Sequence, residues 1–374
     1  MFFDKYVEEI YQDENMINIL NWNNIYLLIN SLLEIKSADE VFNFLENKKV
    51  IEKLIWDDVV NIVESLSKIP NLNQDKLFEC LEKRSKVLSW NNVANIVKSL
   101  SKILNINQDK LFEWLKNTEI NEKLSKNAED NIIDIIMSLS DIKNIDQNKL
   151  FEFLKDKEII DGVGSKCLVT SVIINTLSKI PNIDQNLMFN WLEEEYVKIL
   201  DWHDFSHTIE SLSKIPNIDQ NRLFGLLKWV EVLDSRYFVD TVWYLSKVPN
   251  INQEQLFKWL KEIKTKASVV VVVKKRELDY TSEVISYELY EDDIIDLIRI
   301  LSWIPSIDQS QLFSFISKIK TEKLSEDFFE SIIEIVSEIE DVNEVDLLEL
   351  KKRSDKLSKD PNIVKKLFKK IKII

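Results

Sequence analysis

The chain has 374 residues, of which 3 are Gly, 2 are His and 2 are Cys. So few glycines exclude the Gly-rich loops that bind nucleotide phosphates, and so few His and Cys leave little material for metal or nucleophile chemistry. With 49 Lys and Arg against 64 Asp and Glu, the formal net charge is −15, which argues against general affinity for nucleic acid or anionic membranes.

The N-terminal residues become acidic at once, with Glu8, Glu9 and Asp13 close to Met1. No basic segment precedes an apolar stretch, and no apolar run approaches the ~18 residues that span a bilayer. We therefore expect a cytoplasmic protein without a membrane span. A signal read by specialised secretion machinery would not be visible in this pattern.

One motif, Leu-Ser-Lys-Ile-Pro-Asn-Leu-Asn-Gln-Asp-Lys-Leu-Phe starting at Leu66, recurs along the chain. We call the first residue of each copy its anchor, and the copies at the two ends are degenerate. Consecutive anchors lie 33 to 39 residues apart, except for one step of 56, which is typical of a two-helix repeat. The anchors are Leu32, Leu66, Leu100, Leu139, Leu177, Leu212, Leu245, Leu301 and Val336.

Each copy predicts a helix, a short loop and a second helix. In the first helix Val59, Ile62, Val63 and Leu66 form one apolar face, and Pro70 ends the segment. A capping residue opens the second helix in every clear copy, and an apolar residue precedes it as a hydrophobic staple. The caps are Asn73, Asn107, Asp146, Asp184, Asp219, Asn252 and Asp308.

Two further columns lie in the second helix. A Phe follows each cap by five residues, and a bulky or aromatic residue comes two positions later. A single hairpin of this length cannot bury its apolar faces, whereas stacked copies can. The sequence therefore predicts an all-α fold, an α-solenoid of about nine helical hairpins over residues 1–350. The Phe column is Phe78, Phe112, Phe151, Phe189, Phe224, Phe257 and Phe313.

The first-helix segment Asn61-Ile62-Val63-Glu64-Ser65-Leu66-Ser67-Lys68-Ile69 and the copy around Thr241–Val248 resemble octotricopeptide-type repeats, the family found with RAP domains and in FAST-kinase-like proteins. Asp75-Lys76-Leu77-Phe78 is similar to that family's second-helix start. The resemblance covers about residues 22–350 and implies an α-solenoid associated with RNA binding. The composition, rich in Ile, Asn and Lys, suits the AT-rich genome of an intracellular bacterium.

Two polar columns are candidate RNA contacts. Lys two residues after the anchor would give one cation per repeat along a phosphate backbone, or would compensate the helix dipole. Gln after each cap would read bases, or would satisfy carbonyls of the neighbouring repeat, which we prefer. The residues are Lys68, Lys102, Lys179, Lys214, Lys247, Gln74, Gln108, Gln147, Gln185, Gln220 and Gln253.

Other chemistry-bearing residues fit the repeat. Trp22, Trp56, Trp90 and Trp202 share one column, which we interpret mainly as core. His203 and His207 have metal-chelating i, i+4 spacing, but a third ligand is missing and we predict no metal site. Cys80 and Cys167 fall in core columns. No carboxylate pair stands apart from the repeat, so we predict no catalytic residues, no cofactor and no enzyme.

The 56-residue step contains about 20 extra residues near Lys264–Tyr290. Its valine run favours a β-hairpin. The hairpin would either pair with a partner through Val269, Val271, Val273 and Tyr287, or fold over its own repeat. A second irregularity, at Gly162 and Gly164, marks a break where the array would bend.

Residues 351–374 carry ten Lys or Arg and two Asp, a net +8, which leaves −23 for residues 1–350. Asp360 and Pro361 predict the start of a basic amphipathic helix. We prefer it as the cap of the array, with self-association as an alternative. Together these features predict a non-enzymatic scaffold that binds another protein through its acidic surface and the hairpin insertion. The alternative is RNA binding through the Lys and Gln columns and the basic C-terminal helix.

Overall fold

The structure is a computed structural model. It describes residues 27, 29, 31–32, 38–47, 56–84, 88–118, 128–156, 166–196, 202–228, 235–266, 291–317 and 326–339. These residues form helices and short loops and contain no β-strand. They divide into two compact units, residues 1–195 and residues 196–374.

The N-terminal unit contains α1 to α9, and the C-terminal unit contains α10 to α16. The N-terminal helices are α1 Ala38–Asn47, α2 Trp56–Ser67, α3 Gln74–Arg84, α4 Trp90–Leu100, α5 Gln108–Asn117, α6 Ala128–Ser140, α7 Gln147–Leu154, α8 Lys166–Leu177 and α9 Gln185–Trp191, which continues as a π-helical turn. The C-terminal helices are α10 Trp202–Ser213, α11 Gln220–Leu227, α12 Ser235–Ser246, α13 Gln253–Lys266, α14 Glu291–Ser302, α15 Gln309–Ser317 and α16 Glu326–Ser337.

Each unit has two layers of helices. In the N-terminal unit the first helices α2, α4, α6 and α8 pack in sequence order, and the second helices α1, α3, α5, α7 and α9 do the same. In the C-terminal unit α10, α12, α14 and α16 form one layer, and α11, α13 and α15 form the other. Each unit is therefore an array of stacked helical hairpins, and the predicted all-α solenoid fold is confirmed.

The repeated apolar columns form the core between the layers. All nine anchors, from Leu32 to Val336, are at most 2% exposed, and the Phe column is buried in every copy. The bulky column beyond it is also buried, apart from the half-buried Phe153. Because the columns repeat with the hairpin, burial of one copy against the next gives a continuous core within each unit.

The loop between the two helices is the same in seven copies. The first helix ends with an i→i+3 hydrogen bond. The backbone amide three residues after the anchor donates to the anchor's carbonyl, as the amide of Ile69 does to the carbonyl of Leu66 at 3.0 Å. The chain then turns through a residue with φ between 52° and 57°. This left-handed residue is Asn71, Asn105, Asn144, Asn182, Asn217, Asn250 or Ser306.

The predicted caps of the second helices are confirmed. In every clear copy the side-chain oxygen of the cap accepts from a backbone amide two or three residues later, as Asn107 does from Lys110 at 3.2 Å. The residue before the cap is buried or half-buried, and the apolar residue four positions after the cap is buried. The hydrophobic staple is thus present beside each cap.

In seven copies the serine directly after the anchor makes a hydrogen bond that was not predicted from the sequence. Its hydroxyl donates to the carbonyl three residues earlier, as Ser67 does to Glu64 at 2.8 Å. This hydrogen bond gives a side-chain donor to one carbonyl of the last helical turn, where the backbone amides cannot pair with every carbonyl. The serines are Ser67, Ser101, Ser140, Ser178, Ser213, Ser246 and Ser302.

Several predictions fall outside the described residues. These are most of the hairpin insertion at about 264–290, with Val269, Val271, Val273 and Tyr287, the break at Gly162 and Gly164, and the basic helix at 351–374. Residues 264–266 of the predicted insertion belong to the end of α13. Among the described residues, no helix is long and apolar enough to cross a membrane.

Candidate functional site

The predicted Lys column lies at the exposed end of the first helices. Lys68, Lys102, Lys179, Lys214 and Lys247 are all exposed. Two of them have a Glu one helical turn earlier. The Lys68 Nζ lies 3.3 Å from Glu64, and the Lys214 Nζ lies 2.9 Å from Glu210. The column is therefore not a free row of cations.

The Gln column links neighbouring repeats through paired hydrogen bonds. The amide nitrogen of Gln108 donates to the carbonyl of Asn144 at 3.1 Å, and its oxygen accepts from the amide of Asp146 at 2.5 Å. Each Gln thus reaches the left-handed residue and the helix cap of the next copy. The same pair of contacts is made by Gln74, Gln147, Gln220 and Gln253.

At those five positions the Gln side chain therefore has a structural role, because it connects one repeat to the next. One amide hydrogen and the oxygen of each side chain are used between repeats, as the preferred interpretation states. The reading of bases by Gln, including Gln185, and of phosphates by Lys stays a prediction.

A second set of links runs along the outer surface of α1, α3, α5 and α7. The Lys76 Nζ lies 3.4 Å from Asp39, the Lys110 Nζ lies 2.8 Å from Asp75, and Lys149 pairs with Asp109. The hydrogen bond to Asp75 raises the pKa of Lys110 above its usual value. In the C-terminal unit Gln255 donates to Asn221 at 2.6 Å in the corresponding place. These charged side chains therefore form ion pairs between the second helices of neighbouring repeats and help to hold the repeats together.

The remaining exposed face of the first helices is different, because its residues change from copy to copy. We define the first-helix stripe as the positions nine, five and two residues before the anchor and two residues after it. This 4-3-4 spacing places them on one helix face. In the C-terminal unit the stripe of α10 is His203, His207, Glu210 and Lys214, that of α12 is Arg236, Asp240, Trp243 and Lys247, and that of α14 is Asp292, Asp296, Arg299 and Trp303.

The stripe is mixed in charge and contains aromatic residues. In α6 it consists of Asp130, Asp134, Met137 and Asp141, all exposed, while in α4 it includes Lys98 and Lys102. Only the Lys position of this stripe was predicted from the sequence as a contact site. The missed signal was the variation at the other three positions, since the Gln, Phe and Ser columns keep one residue type in all seven clear copies.

The stripe of α12 and α14 contains an aromatic cluster. The Trp303 side chain is 56% exposed, and its ring lies 5.7 Å from that of Trp243 in an edge-to-face arrangement. The Lys247 Nζ lies 3.6 Å from the centre of the Trp243 ring, which is a cation–π contact. An exposed Trp held by a second Trp is a rigid apolar surface of the kind that protein interfaces use.

Next to this cluster, α10 and α12 share a polar network. The Glu210 carboxylate accepts from Lys214 at 2.9 Å and contacts the Nδ1 of His207 at 3.0 Å. The hydrogen bond from Lys214 lowers the pKa of Glu210. Partial burial, together with the charge of Glu210, raises the pKa of Tyr244 to about 12, so this phenol stays protonated and donates to Glu210.

Other candidate residues have structural surroundings where the structure describes them. Trp90 is buried and Trp56 is half-buried, while the side chains of Trp22 and Trp202 lie outside the described residues. The Cys80 side chain is buried, as expected for a core position. Within the described ranges, no group of three or more His, Cys, Asp or Glu is placed to hold a metal ion.

Comparison with known proteins adds no family. No family model matches the chain, and no curated protein matches it either. The resemblance to octotricopeptide repeats therefore stays a prediction. What the protein binds is inferred below from the residues of the first-helix stripe.

Proposed function

We propose that this chain is a non-enzymatic helical-repeat scaffold that binds another protein through the first-helix stripe. The observation that carries the proposal is the contrast between constant and variable columns. The Gln links and the caps are repeated because they hold one hairpin to the next. A surface that varies along otherwise uniform repeats is available for specific recognition, as in other solenoids.

The chemistry of the stripe favours a protein over RNA. A groove that follows an RNA backbone needs a continuous row of cations. Here Lys68 and Lys214 are paired with Glu, and the Lys position is occupied by Asp141 directly after α6 and by Trp303 directly after α14. Alternating charges with exposed Trp and Met are the composition of a protein-binding surface.

Trp243 and Trp303 are the proposed anchor residues. Large aromatic side chains supply much of the binding energy at interfaces, and residues around them exclude water. The insertion after Lys266 joins the same two repeats that contain this pair. The insertion is thus a second proposed recognition element of the C-terminal unit.

Site-specific photo-cross-linking tests the proposal. A photoreactive phenylalanine analogue at position 303 should give a discrete protein adduct in cells, resistant to ribonuclease. The same analogue at Glu113, which is exposed on α5 away from the stripe, should not. An adduct destroyed by ribonuclease, or the same products from both positions, would contradict the proposal.

The identified protein then allows a quantitative test. We expect Trp303→Ala and Trp243→Ala each to weaken its binding by about tenfold or more, because truncation of an aromatic anchor costs roughly 1.4 kcal/mol or more. Leu104→Ala is the control, since Leu104 is 80% exposed but lies in a loop outside the stripe. Equal losses from all three variants would show that the aromatic pair is not the site.

A further inference from the structure

The two histidines of the chain face each other on α10. His203 and His207 are one helical turn apart, and their Nε2 atoms are 3.3 Å apart. Both side chains are close to half exposed, at 47% and 44%. The pair is therefore held together at the surface of the first-helix stripe, where a solute ion reaches it directly.

The opposite nitrogen of each ring faces a carboxylate. The Nδ1 of His207 lies 3.0 Å from the Oε2 of Glu210, and the Nδ1 of His203 lies 3.6 Å from the Oδ1 of Asp204. The ionised carboxylate of Glu210 accepts but cannot donate, so it places the hydrogen of the His207 ring on Nδ1. In the neutral His207 ring the lone pair then lies on Nε2. The 3.6 Å contact between His203 and Asp204 is longer than a hydrogen bond and does not fix the His203 tautomer.

With its hydrogen on Nδ1, the His207 ring directs an Nε2 lone pair at the Nε2 of His203 across 3.3 Å, and either a hydrogen on that nitrogen or a cation occupies the place between them. A divalent metal ion fills it equally well. For bonds of about 2.0–2.1 Å and a tetrahedral angle, two imidazole nitrogens on one zinc ion lie about 3.3 Å apart.

We propose that His203 and His207 form a two-histidine chelate site for Zn²⁺ or a similar borderline divalent ion. The two Nε2 atoms are the ligands, and solvent completes the coordination because both rings are exposed. Glu210 is placed as the carboxylate that hydrogen-bonds a ligating histidine in metal sites, fixing the tautomer of His207 and raising its basicity as a ligand.

The surroundings of the pair restrain its geometry. The Tyr237 ring of α12 stands edge-to-face against His203 with centroids 5.6 Å apart. Glu210 is held by Lys214 and by Tyr244, and Asp204 is buried beneath the pair. Restrained rings lose less freedom when they bind, so this arrangement favours chelation over an unrestrained i, i+4 pair.

Imidazole NMR of the full chain with ¹⁵N-labelled histidine tests the site, and the spectrum is simple because the chain has only two His. Titration with Zn²⁺ alone should shift the Nε2 resonances of both rings together, with one ion per chain. His203→Ala or His207→Ala should weaken binding by at least tenfold. A failure to shift either Nε2 at ~1 mM Zn²⁺, or a shift of only one, would overturn the proposal.

A matched pair of variants tests the positioning role of Glu210. Glu210→Gln should weaken Zn²⁺ affinity by roughly 10-fold and move the hydrogen away from Nδ1 of His207. Glu64→Gln is the control, because Glu64 occupies the same stripe position in α2 and pairs with Lys68 in the same way. Equal Zn²⁺ affinity in these two variants would show that the carboxylate does not support the site.

Discussion

At the scale of single residues, the shortage of glycine is explained by asparagine. Short loops between helices need a residue at positive φ, and Gly usually occupies that position. Here six of the seven described loops use Asn and one uses Ser306. Asn tolerates the left-handed region better than other L-residues, since its short side chain hydrogen-bonds locally. The chain therefore makes tight loops without glycine.

This explanation predicts opposite effects for two reciprocal substitutions. Ser306→Asn should raise the free energy of unfolding of the C-terminal unit by about 0.5–1 kcal/mol, because Asn adopts the left-handed region at lower cost. Asn250→Ser should lower it by a similar amount. Both residues are exposed and belong to the same unit, so denaturant unfolding compares them directly. If neither substitution changes stability, backbone preference is not the reason for the Asn column.

At the scale of helices, the repeats are joined by polar contacts as well as by the core. Gln147 bonds the carbonyl of Asn182 at 3.2 Å and the amide of Asp184 at 2.5 Å. The two bonded groups are the left-handed residue and the cap that start the next second helix. A single side chain thus fixes the register between α7 and α9.

Gln147→Ala should remove this register contact. We expect a loss of about 1–2 kcal/mol, since each of the two hydrogen bonds contributes roughly 0.5–1.5 kcal/mol. The specific measurement is hydrogen exchange of the Asp184 amide, which should speed up because only the Gln147 oxygen covers it. Asn148→Ala is the control, being exposed one residue along the same helix. Unchanged exchange at Asp184 would contradict the assigned role.

The difference between contacts within one hairpin and contacts between hairpins shows which parts of the structure could be predicted from the sequence. Caps, staples and the Phe column follow from local rules, because each depends on residues a few positions apart. The partner of Gln147 lies 35 to 37 residues away, so its bonds depend on how the hairpins stack. The spacing of His203 and His207 was readable, but the convergence of their Nε2 atoms depends on side-chain rotamers. The Gln contacts between repeats were therefore predicted in kind but not in their specific acceptors. The serine and histidine contacts were missed although they are local, because they depend on side-chain rotamers.

At the scale of the whole molecule, the charge is distributed unevenly. Residues 1–350 carry −23 and residues 351–374 carry +8. Charged contacts between repeats use part of this charge, since Lys76, Lys110 and Lys149 are bound to Asp residues of the preceding copy. The first-helix stripe keeps two cations at α4, Lys98 and Lys102, but it is acidic at α6, where it contains Asp130, Asp134 and Asp141. A long-range attraction for a polyanion is therefore not expected from the repeat array.

Filter binding of single-stranded RNA over a salt series tests this conclusion. We expect no retention by the full chain at ~50 mM salt, because unpaired cations on the array are too few to release many counterions. If the full chain retains RNA but a chain ending at residue 350 does not, the attraction belongs to the basic C-terminal segment. Retention by the truncated chain, with an affinity that falls linearly with salt on logarithmic axes, would favour the Lys column instead. Lys102→Ala and Lys179→Ala should then reduce that slope, whereas Lys110→Ala, on the outer helices, should leave it unchanged.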